Sequence, residues 1–360
     1  MKDKIISFPH LGDYYIPISF LLKKLTNYKI MAPPPITKKT LELGTINSPN
    51  FVCIPFKYNL GNFIESLDNG ANVIIQAGGG CRYGYYGEVQ EKILKDLGYD
   101  FEYYNLVEND RVTFHSIYKM FKKIDKRISI LKILYYIPLT ILMIRFMDNI
   151  DEYIRHNIGF EVIENSFSNQ KKEMLNSFYN TNGYLKLILA YKKFKYKFKN
   201  LKLNKPANPL KIGIIGELYT NMEYFSNYFL EKELAKMGIE IKRFTNLSYL
   251  LYQKKRERKK QLKYIREYCK YTIGADGMDN IYRTKWLIMH HYDGIIHIKP
   301  SFCTPEIGAI PIINKVCTDY KMPIIYFSFD SETSETGIKT RLEAFYDMLK
   351  SRKDNLWMHI

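Results

Sequence analysis

The residues of this chain best suited to chemistry are its five cysteines, Cys53, Cys81, Cys269, Cys303 and Cys317. Three of them share a setting. Cys81 follows the apolar run "NVIIQ" and the glycines Gly78, Gly79 and Gly80. Cys303 follows "GIIHIKP" and precedes "TPE", and Cys53 follows "PNFV" and precedes "IPFKYNLG". Each thiol is expected near the carboxyl end of a strand and the start of a helix. In an open parallel sheet that edge is where ligands bind. A helix N-terminus offers unpaired N–H groups and a partial positive charge, both of which favour thiolate over thiol. Soft thiolates suit an iron–sulfur cubane, and three of them leave one iron an open position. Gly79 and Gly80 would let the backbone approach such a bulky, anionic group. No CxxC pair points to zinc, and a nucleophile would need one thiol and a base. On spacing alone, three unrelated cysteines fit as well. Cys269 and Cys317 read as mid-helix residues without chemistry.

The elements that must position these thiols alternate. In residues 1–112, "KIISFPH", "YKIMAPPP", "ANVIIQAG" and "FEYYNLV" read as strands. Between them lie the helical patterns "YYIPISFLLKKL", "ITKKTLELG" (closed by its glycine), "LGNFIESLDNG" and "GEVQEKILKDLGYD". Residues 113–206 change to long helical periodicity, an insertion or lid ending in the linker "KPANP". Residues 207–360 alternate again: "LKIGIIGEL", "IEIKRFTN", "DGIIHIKPSFC" and "MPIIYFSFD" are strands. "EYFSNYFLEKELAKMG", "KKRERKKQLKYIREYCK", "NIYRTKWLIMHHY", "EIGAIPIINKVCTDYK" and "TGIKTRLEAFYDMLK" are helices. Such alternation argues for α/β units with parallel sheets covered on both faces.

With 46% hydrophobic residues the chain can bury real cores, which excludes a disordered protein. Its net charge of +17, from 54 basic and 37 acidic side chains, favours anionic partners. A general enrichment in lysine accounts for the same surplus. The tail "KLILAYKKFKYKFKNLKLNK" interleaves lysines with aromatics. It fits base stacking or an amphipathic helix with a solvated lysine face. "ISILKILYYIPLTILMIRFM" is strongly apolar, but Lys132, Arg145 and Pro138 interrupt it. A buried or interface helix pair is expected rather than a membrane span. The N-terminus does not read as a signal peptide, so cytoplasmic thiols are expected.

The segments "FPHLGDYY", "NFVCIPFKYNLGNF", "AGGGCRYGYYGEVQ", "IGIIGELYTN", "KPSFCTPE" and "IIYFSFDSETSETGIKTRLEAFYDML" resemble 2-hydroxyacyl-CoA dehydratase subunits and their relatives, the CoA-enzyme activase-associated iron–sulfur proteins. The resemblance implies two flavodoxin-like (Rossmann-like) parallel-sheet domains, 1–112 and 207–360, with the helical insertion 113–206 between them. It implies a [4Fe–4S] cluster held by Cys53, Cys81 and Cys303 in the cleft between the domains. A separate actin-like, ATP-hydrolysing activator would reduce that cluster. Relatives with a double cubane use more cysteines, so a single cubane is expected. The chain carries neither actin-type phosphate loops nor a Walker pattern. The implied function is passage of single low-potential electrons to an acyl-CoA or another small anionic molecule, in a homodimer or heterodimer; no membrane partner is expected, and nucleic acid is not the favoured partner. A cluster-carrying electron-transfer subunit and a nucleotide- or nucleic-acid-binding protein are the alternatives.

Around the thiols, His10, Asp13, Glu217, Tyr219, Asn221, Glu306, Asp330 and Glu332 fall in loops at expected strand ends. Glu217 either caps a helix or holds a proton as an acid–base residue. His290, His291 and His297 read as structural. Arg341 is expected to pair with Asp347 or Glu343, or to meet an anion.

Overall fold

The computed structural model describes residues 4–76, 78, 83–106 and 114–357. Cys81, Gly79 and Gly80 lie outside the described residues. The chain divides into two compact units, residues 1–144 and 145–360. Within 113–206 the regular elements of the described residues are helices, and the division falls inside one of them.

The first unit contains β1 (Ile5–Ser7), α1 (Tyr15–Leu25), β2 (Lys29–Ile30), α2 (Lys38–Asn47), α3 (Ile54–Asp68), β3 (Val73–Gln76), α4 (Tyr83–Asp96), β4 (Glu102–Asn105) and α5 (Phe114–Ile124). It also holds the first half of α6 (Ile130–Asn157). Its strands are all parallel, in the order β2-β1-β3-β4. Ile6, Val73 and Ile75 pack with Leu22, Leu25, Phe121, Ile124 and Ile133 in the core on one face of the sheet.

The second unit takes the rest of α6 and α7 (Ser166–Tyr179), α8 (Tyr184–Lys199), β5 (Leu210–Gly216), α9 (Leu218–Met222) and α10 (Leu230–Lys236). It continues with β6 (Ile239–Arg243), α11 (Lys254–Tyr264), α12 (Gly277–Met289), β7 (Gly294–Pro300), α13 (Thr304–Asp319), β8 (Ile324–Phe329) and α14 (Glu335–Trp357). The sheet order β6-β5-β7-β8 repeats that of the first unit, again all parallel. Every residue of β7 is buried, as an inner parallel strand covered on both faces requires. Two four-stranded parallel sheets with flanking helices make the fold α/β, in a two-domain flavodoxin-like arrangement.

Four local expectations need correction. Pro138 does not split an apolar helix pair, because α6 runs unbroken through it. The carbonyl that a proline leaves unbonded belongs to the residue four positions earlier. That residue, Leu134, is 52% exposed, so the break lies on the water side. Gly44 does not close α2; a Cβ there would collide with the carbonyl of Lys57, so the glycine serves the α2–α3 crossing instead. The expected helix "EYFSNYFLEKELAKMG" is broken by left-handed backbone at Tyr228 and Phe229. Buried Asn227 competes there for backbone groups: its amide donates to the Thr220 carbonyl (2.6 Å) and its oxygen accepts from the Leu230 N–H (3.0 Å). Finally, Cys269 lies beyond the end of α11, in an irregular segment where its thiol donates to the Tyr271 carbonyl (2.9 Å).

The stretch Ile130–Phe160 is long and apolar enough to cross a membrane by length and composition alone. A third of its apolar window is buried in the protein.

Candidate functional site

In each unit all strands run the same way, but the order in which they are added reverses between the two central strands, β1 and β3 in the first and β5 and β7 in the second. The crevice outside the carboxyl ends of such a pair is the ligand-binding position of open α/β sheets.

In the first unit, Cys53 is the N-cap of α3, with extended backbone (φ −68°, ψ 150°) and Pro55 in the first turn. Its carbonyl accepts from the Phe56 N–H (3.0 Å). Its Sγ lies 2.9 Å from the hydroxyl of Tyr86 on α4, whose ring meets Phe56 edge-on. The link between α3 and α4 continues through neutral amides. Buried Gln76, the last residue of β3, donates to Gln90 (3.0 Å), and Gln90 donates to the Phe56 carbonyl (3.3 Å). The loop after β1 is tied to α3 as well, since the N–H of His10 donates to Asn62 (3.0 Å), whose amide donates to the Pro34 carbonyl (2.8 Å). Asp13 follows in the same loop, and with burial it raises the pKa of Tyr15.

In the second unit, Gly216 ends β5 at φ +138°, where a Cβ would run into the Ile298 carbonyl. Only glycine fits both that conformation and that approach. The turn presents Glu217 as the N-cap of α9. Oε1 accepts from the Tyr219 N–H (2.9 Å), and Oε2 from the N–H (2.9 Å) and hydroxyl (2.8 Å) of Thr220. Burial pushes the Glu217 carboxyl from an ordinary 4.5 to about 7, against the lowering effect of those hydrogen bonds. Asn221 closes the turn by donating to the Glu217 carbonyl (2.9 Å).

Cys303 is the N-cap of α13 after β7, partly exposed, with Pro305 in the first helical turn. Its N–H donates to the Pro300 carbonyl (3.2 Å). The loop is held from β8: the Ser301 N–H donates to the Phe329 carbonyl (2.9 Å), and its hydroxyl donates to Asp330 (2.9 Å). Asp330 also accepts from the N–H of Glu332 (3.0 Å) and the hydroxyl of Thr333 (3.0 Å).

Beneath this loop lies a buried polar network. Glu306, in the first turn of α13 and fully buried, accepts from the Asn280 amide (2.9 Å to each oxygen) and from His297 Nε2 (2.7 Å). Nε2 is assigned as donor because its partner is a carboxylate; His297 Nδ1 has no partner among the described residues. The Asn280 oxygen accepts from the Gly216 N–H (3.2 Å) and from Arg283 (3.0 Å), which also donates to Thr245 (2.8 Å). Asn280 therefore connects the turn that carries Glu217 to the helix that carries Cys303. Lys299, on β7, is buried and, among the described residues, its ammonium donates to the carbonyls of Pro300 (3.4 Å) and Ser301 (3.5 Å). Burial lowers its pKa, while Cys303 and Glu306 oppose that shift.

Other expected residues play structural parts. Cys317 is packed in α13, where burial pushes its thiol up to about 12, and burial raises the Cys269 thiol too. His290 stacks on Trp286 and bonds its carbonyl (2.8 Å). Arg341 pairs with neither Asp347 nor Glu343; it donates to the Tyr326 carbonyl (2.7 Å) and lies over Phe327. Tyr86, Gln90, Asn280, Arg283 and Lys299 were not foreseen. The signal available for two of them is a polar stripe, Asn280, Arg283 and Thr284, on the face of α12 whose period also brings in Leu287.

Among the described residues no three His, Cys, Asp or Glu side chains gather as a metal site. Cys53 belongs to one unit, Cys303 to the other, and Cys81 is outside the described residues.

Fold and sheet edges thus define an open-sheet α/β protein with a thiol at the start of one described helix in each unit. Residues 259–349 match the family described as 2-hydroxyglutaryl-CoA dehydratase, D-component. The match supports the 2-hydroxyacyl-CoA dehydratase subunit family, and it contains Cys303, Lys299, His297, Glu306 and Asn280. No match is found among curated proteins.

Proposed function

We propose that this dehydratase-subunit-like protein holds one [4Fe–4S] cluster through Cys53, Cys81 and Cys303. The observation that carries the reading is the setting of Cys303. It caps α13 at the carboxyl end of β7, within the family-matched segment. Cys53 occupies the equivalent N-cap position before α3. The residues present fit the group. Both thiols stand where the positive end of a helix favours thiolate, and neither is packed away. Buried Lys299, whose ammonium bonds only backbone carbonyls among the described residues, would place positive charge beside an anionic cluster on the Cys303 side. Gly79 and Gly80 are assigned to the close approach of backbone beside Cys81.

When bound, the cluster supplies one-electron chemistry at low potential. The protein's own groups do the rest. Asn280 and Glu306 hold the first turn of α13, and Asp330 and Ser301 hold the loop before it. Glu217 titrates near neutrality at the end of β5, which suits it to carry a proton while its oxygens cap α9. The proposed substrate is an acyl-CoA or another small anionic molecule. The proposed partners are a separate ATP-hydrolysing activator of actin-like fold and a second subunit, in a cytoplasmic setting. Electron paramagnetic resonance on anaerobic protein, with activator and ATP, tests this reading. A reduced-cluster signal that appears only with both, and decays when the acyl-CoA is added, is the expected result. A signal indifferent to activator and ATP contradicts it.

A further inference from the structure

We propose that the outward face of α8 docks on an anionic membrane surface. Leu187, Phe194 and Phe198 turn α8 into the second unit, where Phe198 lies against Phe167 of α7 (5.9 Å). Tyr191 stacks flat on Phe146 of α6 (3.9 Å). On the opposite side, Leu185, Leu189 and Tyr196 are 71%, 56% and 71% exposed. At 3.6 residues per turn these three fall within about 40° of one another, a single stripe along the helix. Lys186 and Lys193 flank the stripe on one side, Lys192, Lys195 and Lys199 on the other. The helix contains six lysines and no acid. Lys197 pairs with Glu173, and the other five have no ion pair among the described residues.

A solvated lysine face accounts for the lysines, but not for two leucines and a tyrosine held in water along its centre. An apolar stripe bordered by cations is the pattern of a helix lying in a membrane interface, its stripe at acyl-chain depth and its lysines at anionic headgroups. The stripe's aliphatic character favours lipid over nucleic acid, which needs aromatic platforms for its bases. Beside the stripe, a cavity of about 280 Å³ opens between α6 and α8, lined by Tyr153, Tyr191, Lys195 and Lys199 with Glu152 at its wall. Its two lysines suit a headgroup phosphate, and Glu152 is engaged by Lys242. This is surface docking, distinct from a membrane span, and it stands apart from the cluster reading.

The test is sedimentation of the full chain with vesicles. Binding is expected to vesicles of phosphatidylcholine with one third phosphatidylglycerol at low salt, and to fall on pure phosphatidylcholine. Leu185→Ser with Leu189→Ser should weaken it about tenfold or more. Lys192→Glu with Lys193→Glu should weaken it by about fivefold or more for each lysine. These side chains are exposed, so thermal unfolding should stay unchanged. Leu189→Trp gives an independent reading, with a blue shift of its fluorescence expected on anionic vesicles. Absence of binding, binding that ignores the leucine changes, or no blue shift would overturn the proposal. So would tighter binding to a single-stranded oligonucleotide that depends on the lysines and not on the leucines.

Discussion

The two units share one strand order, and each places a cysteine at a helix start near the carboxyl edge of its sheet. What surrounds the two thiols differs. Cys53 meets a tyrosine hydroxyl, and the bonds behind it run through neutral amides, Gln76 to Gln90 to the Phe56 carbonyl. Cys303 stands above buried ionisable side chains: Glu306 and His297 in contact, Arg283 joined through Asn280, and Lys299 against the carbonyls of the same loop. Topology thus fixes where the thiol stands, and local side chains fix the field it feels. The neutral side can be disturbed at the cost of a hydrogen bond. The charged side cannot, because a buried ion deprived of its partner keeps its desolvation cost.

That contrast can be broken by mutation. The largest effect is expected at Glu306→Ala, which strands His297 and the Asn280 amide and leaves buried Arg283 without a carboxylate in its network. We expect a loss of about 3–5 kcal/mol, read from the urea midpoint. Gln90→Ala, its counterpart in the first unit, should cost about 1–2 kcal/mol. Equal losses would remove the distinction. Gly216→Ala should follow, at about 3 kcal/mol or more, since it adds both strain and a collision with the Ile298 carbonyl. The same change at Gly70, also at positive φ but with open space around it, should cost only about 1–2 kcal/mol.

Glu217 sharpens the comparison through pH. Its carboxyl binds a proton more tightly in the folded chain, near 7, than at its ordinary 4.5. The stabilisation is therefore complete below about 4.5 and is lost as pH rises to about 7, a total on the order of 3 kcal/mol. Glu217→Gln should flatten stability between those limits while losing about 1 kcal/mol of cap. An unchanged slope would place the titration elsewhere. The smallest effect is expected at Tyr86→Phe, about 1 kcal/mol for one neutral hydrogen bond near Cys53, seen as a small shift of the same midpoint.

Much of the fold was legible because parallel strands buried on both faces write themselves as unbroken apolar runs, as in "NVIIQ" and "GIIHIKP". The helix starts at Cys53 and Cys303 were legible too, since a proline just after each marks a first helical turn, but the strand expected before Cys53 is absent, because α2 and a turn precede it. Glycine was misread at Gly44, because a helix crossing and a helix end call for the same residue. Pro138 misled for a related reason: whether proline breaks a helix depends on which side its unbonded carbonyl faces, and sequence does not state that. The network around Asn280 was invisible, since its partners come from β5, α12, β7 and α13 and meet only once the sheet is ordered. Arg341 was assigned to neighbours on its own helix and instead reaches the strand beneath it.

The central claim is that three cysteines far apart in sequence hold one inorganic cluster, and iron and acid-labile sulfide analysis of anaerobically purified protein tests it most directly. The account predicts one cluster's worth of iron and sulfide per chain, lost on Cys53→Ser, Cys81→Ser or Cys303→Ser and kept on Cys269→Ser or Cys317→Ser. Protein that carries neither iron nor sulfide, or that keeps both without Cys303, would contradict it.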